Sequence, residues 1–292
     1  MGWRRIAVAL LGAAFLYAAW IFIGLPGRSE IRALARAQPV QTSVMRQREE
    51  EARKAKRGLR ATQVFVPLRQ VSRHLINAVV AAEDPNFFGH AGVDWEAIRE
   101  SVETNVRKRR FARGGSTITQ QLAKNLFFTT HKSVTRKLRE LLVARWLEED
   151  LTKPRILEIY LNVIEWGDGV YGCEAAARRY YGKSAADLDP EEAAGLAAMI
   201  PSPRRINPRV NPGIHARAQR RVLWLMEHAG YVRRGVSGLG VEPPPEVLEP
   251  LLEPIDDSEP PPAELPPLVP PPEPAPPEPR PIPDASPEPP PR

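Results

Sequence analysis

The chain's 292 residues suffice for one sizeable folded domain with extensions, or for two small ones. The formal net charge of +6 hides an asymmetry: residues 1–241 carry 39 Lys and Arg against 23 Asp and Glu, while 242–292 carry 2 against 12. So basic a body suits an anionic partner, whether a membrane surface, a phosphorylated substrate or a nucleic acid, and the single cysteine, Cys173, excludes an intramolecular disulfide.

The first predicted element is the run IAVALLGAAFLYAAWIFIGL from Ile6 to Leu25, 20 residues without a charge. A helix of that length matches the hydrocarbon thickness of a bilayer. A signal peptide would need a shorter apolar core and a small-residue cleavage site, so residues 1–27 read as an uncleaved anchor. Arg4 and Arg5 before it favour a cytoplasmic N-terminus, a bias weakened by Arg28 and Arg32, and would leave the rest outside the cytoplasm. Residues 28–62, with the run RQREEEARKAKR, read as a solvated helix or juxtamembrane stalk.

From 63 to 235 the apolar residues recur at helical spacing, as in Leu75, Ile76, Val79 and Val80, or Leu138, Leu141 and Leu142. Strand alternation is scarce, which predicts an all-α, mostly helical domain. Residues 236–292 form an acidic tail, and 23 of the 33 prolines lie in 242–292. Proline resists both helix and sheet, so the tail is expected to be disordered, a spacer or a docking segment.

Four clusters inside the domain stand out. In AVVAAEDPNFFGHAGVDW (78–95) an apolar helix ends in Glu83 and Asp84 ahead of Pro85. A carboxylate beside an apolar surface is partly desolvated, which raises its pKa and suits a general base. In RGGSTITQQLAKNLF (113–127) Ser116, Gln120 and Lys124 share one helix face opposite Ile118, Leu122 and Leu126, with Thr117, Gln121 and Asn125 alongside. That polar stripe at a helix start fits a phosphate, although a hydrated surface face has the same pattern.

In RKLRELLVARWLEEDLTK (136–153) Arg136, Lys137 and Arg139 surround Glu140. A surface pair at this spacing contributes only about 0.3–0.5 kcal/mol, so a cation cluster there suits a multiply charged anion better than it suits stability. The fourth cluster, RILEIYLNVIEWGDGVYG (155–172), reads as architecture, including Tyr160 and Trp166, with Glu165 assigned to structure or solvent.

The segments EDPNFFGH, GGSTITQQLAKN, RKLRE and KPRILEIYLN, in that order between about Val66 and Arg205, resemble the peptidoglycan glycosyltransferases, the family shared by class A penicillin-binding proteins and single-domain relatives. The block ILEIYLNVIEWGDGVYGCEAAARRYYGK looks like the monofunctional enzymes of Gram-negative bacteria. No transpeptidase serine motif follows.

The resemblance implies a lysozyme-like, two-lobed fold behind one transmembrane helix, in the inner membrane with the catalytic domain in the periplasm. It implies that Glu83 is the general base and Glu140 the second essential acid. Asp84, Phe87, His90, Thr117, Gln121, Lys124 and Arg136 fall at positions the family uses for substrate binding or site architecture; Ser116, Gln120, Lys137 and Arg139 complete the set. The implied substrates are lipid II and the nascent glycan strand, with other cell-wall synthesis or division proteins as candidate partners and no nucleic acid. No cofactor is required by the motifs, and the resemblance leaves open a divalent cation, Mg or Mn, at the pyrophosphate. Two rival readings are a lytic glycan-cleaving enzyme on the same fold and a non-catalytic membrane scaffold acting through the tail.

Overall fold

The computed structural model describes residues 2–108 and 115–238. The chain opens with α1 (Gly2–Ile23), none of whose residues is buried; Leu11 and Phe15 are 71% and 73% exposed. Among the described residues it is the one helix long and apolar enough to cross a membrane, and its 22 residues rise roughly 33 Å at 1.5 Å each. An apolar helix whose side chains stay this exposed is at its lowest free energy in lipid.

The segment expected as a solvated stalk is instead packed onto the domain. α2 (Arg28–Ala33) sends Ile31 into the core at 0% exposure. α3 (Ser43–Lys54) buries Val44, Met45, Arg48 and Ala52, which recur along one helical face, against the helix Ile118–Phe127. The charged run looked solvated because its acids and bases outnumber its apolar residues; the inward face shows only when partners are present. Arg48 is drawn in by Glu165, at 3.0 Å, and by Glu51, at 2.9 Å. Arg57 pairs with Asp168, to which Arg204 also reaches at 3.5 Å.

The domain proper begins with β1 (Thr62–Gln63) and α4 (Arg73–Glu83). Ser72 starts α4, its hydroxyl accepting from the His74 amide and donating to Leu188 O over 2.8 Å. Next come α5 (Trp95–Lys108), α6 (Ile118–Phe127) and α7 (Val134–Asp150), the last two capped by Thr117 and Ser133. α8 (Lys153–Val163) carries Pro154 in its first turn, where the missing amide hydrogen costs nothing.

Two short strands, β2 (Glu165–Gly167) and β3 (Val170–Tyr171), follow; β3 pairs parallel with β1 and antiparallel with β2. Gly172 leaves this sheet at φ +81°, where a Cβ would lie 2.8 Å from Asn162 O, so only glycine fits. The last helices among the described residues are α9 (Cys173–Tyr181), α10 (Pro190–Ala197) and α11 (Pro212–His228). The expected mostly helical architecture is what the chain adopts.

Two helical groups share one core. α4 packs on α10 and α11; α6 packs on α7 and α8. Leu75 and Val79 from the first group and Leu122, Leu147, Ile156 and Tyr160 from the second are completely buried. Asn162, also buried, links α8 to the segment after β1 by exchanging hydrogen bonds with the backbone N and O of Val66, each 2.8 Å. Past α11, Ser237 donates to Glu227 Oε2 over 2.9 Å, so ordered packing continues beyond the expected boundary at 235. The proline-rich tail from 239 onward, and Arg113 and Gly114 of the second cluster, lie outside the described residues.

Candidate active site

Glu83 is the last residue of α4, and the adjoining Asp84 ends the helix with φ −161°. Asp84 is buried; its carboxylate accepts from the Ile118 amide at 3.0 Å, tying the end of α4 to the start of α6. His90 Nε2 lies 3.0 Å from Asp84 Oδ1, and the Gly92 amide donates to His90 Nδ1 over 3.1 Å. A ring nitrogen that accepts carries no proton, so the imidazole proton sits on Nε2 and points at Asp84. Thr117 donates to Gly92 O at 2.7 Å and accepts from the Gln120 amide. Phe87 is 0% exposed, with Lys153 Nζ 4.4 Å above its ring. Asp84, Phe87, His90 and Thr117 are thereby brought together as a support beside Glu83, Asp84 bonded to His90 and the Ile118 amide, and Thr117 to Gly92 O and the Gln120 amide.

Glu83 itself is part-exposed. Its Oε2 accepts from Gln121 Nε2 at 2.7 Å. Burial of its carboxyl raises the pKa above the ordinary glutamate range; the Gln121 hydrogen bond and the charges of Lys124 and Arg221 oppose the rise without cancelling it. Arg221, on α11, is a contributor that the motifs did not reveal, because it comes from a segment far along the chain. Lys153, 2.8 Å from Glu148 and close enough to act on the Asp84 charge, is another.

The second part of the site is built on α7. Glu140 is buried at 3% exposure and pairs with Arg136 and, at 3.5 Å, with Lys137. Lys137 Nζ also donates to Ser116 Oγ at 2.8 Å and to Gln120 Oε1 at 2.7 Å. Burial and the nearby charges of Arg136 and Lys124 lower the Lys137 pKa. Successive residues of α6 thus join the two halves: Gln121 reaches Glu83, and Gln120 reaches the Lys137–Glu140–Arg136 cluster.

Arg139 is placed elsewhere. Its guanidinium donates to Ile21 O at 3.0 Å and Trp20 O at 2.7 Å and lies 5.0 Å from the Trp20 ring centroid, closing the C-terminal end of α1. Residues 139 and 140 are adjacent and so point in different directions on a helix, which the count of cations around Glu140 did not register.

The cation-lined part does not fit a resident divalent metal. Its one buried carboxylate, Glu140, is already engaged by two cationic side chains. Among the described residues, Asp84, His90 and Asp94 are close enough together to share an ion. There, however, both imidazole nitrogens are used inside the protein, and Asp94 accepts from the Ala97 amide and from Asn86.

The sequence model of the transglycosylase family matches residues 49–228, more than half of the chain. The biosynthetic peptidoglycan transglycosylase of Azoarcus sp. is 44% identical over 228 residues, covering 76% of this chain and 96% of that protein. The protein of the same name from Dechloromonas aromatica is 46% identical over 209 residues, covering 69% and 86%. That of Bordetella pertussis is 44% identical over 221 residues, covering 73% and 89%. With the family model matched over more than half of the chain and these relatives matched over most of their length, the chain belongs to the transglycosylase family and is a glycosyltransferase.

Proposed function

We propose that this enzyme polymerises glycan strands of peptidoglycan from lipid II, a disaccharide-pentapeptide linked through pyrophosphate to a polyprenyl chain. Glu83 takes the proton from the 4-hydroxyl of the acceptor sugar as that oxygen attacks the anomeric carbon of the lipid-linked growing strand. The bond from that carbon to the pyrophosphate oxygen breaks, an α-linkage becomes a β-1,4 linkage, and polyprenyl pyrophosphate leaves. Arg136, Lys137 and Lys124 stabilise the charge that collects on the departing pyrophosphate, in the manner of fixed donors aimed at developing charge. Glu140 holds the first two in place.

The observation that carries this reading is the α6 junction, with a basic carboxylate on one side and cations on the other. A glycan-cleaving enzyme must protonate a poor leaving group and gains nothing from cations around it. The relatives named above are biosynthetic by name. A purely scaffolding protein has no use for either carboxylate arrangement.

The pH dependence tests the base directly. Glu83 works ionised, so turnover is present above its pKa and lost as pH falls through it. Because burial raises that pKa, the acid limb of kcat on detergent-solubilised lipid II is expected above the ordinary glutamate value of about 4.3. An acid limb at or below that value removes Glu83 as the titrating base.

α1 serves as a single-pass anchor of the inner membrane, N-terminus inward and domain in the periplasm, where a membrane-bound substrate is met by surface search. Removing residues 1–25 is expected to release the protein from membranes while activity on detergent-solubilised lipid II remains measurable. Truncated protein that still sediments with membranes after a high-salt wash contradicts the single anchor.

A further inference from the structure

Tyr160 lies on α8 at 0% exposure, its ring among core side chains, as helical spacing requires. Its hydroxyl does something the core does not need: it donates to Gln121 Oε1 over 2.9 Å, while Gln121 Nε2 donates to Glu83 Oε2 over 2.7 Å. We propose that Tyr160 is a positioning residue for the transfer reaction, acting through Gln121 to hold one oxygen of Glu83 so that the other faces the acceptor hydroxyl. The proposal rests on the reading of Glu83 as base.

The two ends of a glutamine amide are alike in shape and opposite in hydrogen bonding. An ionised carboxylate only accepts, so the amide must turn its NH₂ toward Glu83, which sends its oxygen toward α8. The Tyr160 hydroxyl meets that oxygen with a donor. Burial and the charges of Glu83 and Asp84 push the phenol pKa well up, so it remains protonated wherever the enzyme works. A donor on the carbonyl end also polarises the amide and strengthens its N–H bond to Glu83. Without the phenol, Gln121 Oε1 is left without its donor, and rotation of the amide toward another partner removes the hydrogen bond that opposes the effect of burial on Glu83. The charged groups acting on Glu83 are Asp84 beside it, Lys124 on α6 and Arg221 on α11, and a change at Tyr160 alters none of them.

The test uses the full chain in detergent with lipid II, comparing wild type, Tyr160→Phe, Gln121→Met and the double variant by kcat, KM and the acid limb of kcat. Phenylalanine keeps the ring, and thermal midpoints set a working temperature at which all four are folded. The expected result for Tyr160→Phe is an acid limb moved to higher pH by about one unit. The corresponding fall in kcat, read on the acid side of the wild-type limb, is about tenfold, the size of one hydrogen bond, with KM nearly unchanged. In the Gln121→Met background the same change should do almost nothing, because the connection is already cut. Three results overturn the proposal: a wild-type profile, a fall in kcat with an unmoved limb, or the same fall with and without Gln121. Glu83→Gln separates the two readings. If it is active, the base assignment fails as well; if it is inactive while Tyr160→Phe is normal, only the relay fails.

Discussion

Glu83→Gln is expected to lose at least about 10²-fold in turnover, since general-base action typically contributes about 10²–10⁴-fold. The substitution keeps the side chain's length and leaves an oxygen for Gln121 Nε2, which now donates to Glu83 Oε2 at 2.7 Å, so the surrounding network stays formed. What it removes is the proton acceptor. Binding of lipid II should survive, because the pyrophosphate and lipid are held by other groups; a loss confined to kcat is the signature of an interaction made in the transition state. Parallel measurements of turnover and of lipid II binding decide it. A variant that polymerises at close to the wild-type rate would require the mechanism built on Glu83 to be abandoned.

The second large effect concerns stability. Glu165, read from the sequence as a structural or solvated acid, is buried, with Arg48 at 3.0 Å and both side chains only 6% exposed. Glu165→Gln leaves the buried guanidinium without its main counter-charge. Breaking a buried pair from one side costs about 3–5 kcal/mol. Arg48 keeps Glu51, and Arg204 keeps Asp168, so the lower end of that range applies. For a folded part of this size, roughly 3 kcal/mol lowers the melting temperature by about 6–12 °C. Turnover per folded molecule should change far less than in Glu83→Gln. Calorimetry on the variant gives the answer: a midpoint within 2 °C or so of wild type would mean that the pair is hydrated or dispensable.

Much of the site could be read from local spacing. Gln120 and Lys124 lie four apart on α6, whereas Ser116, counted with them from the sequence, falls before the Thr117 cap; Arg136 and Glu140 pair as residues four apart on a helix can. An apolar helix ending in two acids marked Glu83 as desolvated before any fold was known, and burial does raise its pKa. The mostly helical class followed from a period that seldom left 3.6.

The departures share one cause. Arg139, counted with the cations around Glu140, turns to the last carbonyls of α1, a partner more than a hundred residues away. Phe87 and Tyr160 are both apolar rings in the sequence, but the first is sealed behind the site while the second carries its only polar atom to Gln121. Residues 28–62 look solvated by composition, yet Ile31 and the inner face of α3 are buried, with Arg48 paired to Glu165 across 117 positions of chain.

The sequence by itself determined the helical class, the apolar N-terminal helix and the identity of the acids and cations, because periodicity and composition act over a few turns. Which of those side chains meet, and with them the direction of each pKa shift, came from long-range packing. Burial and ion pairing depend on groups that long-range packing brings within a few ångströms, and no spacing along one helix encodes that distance.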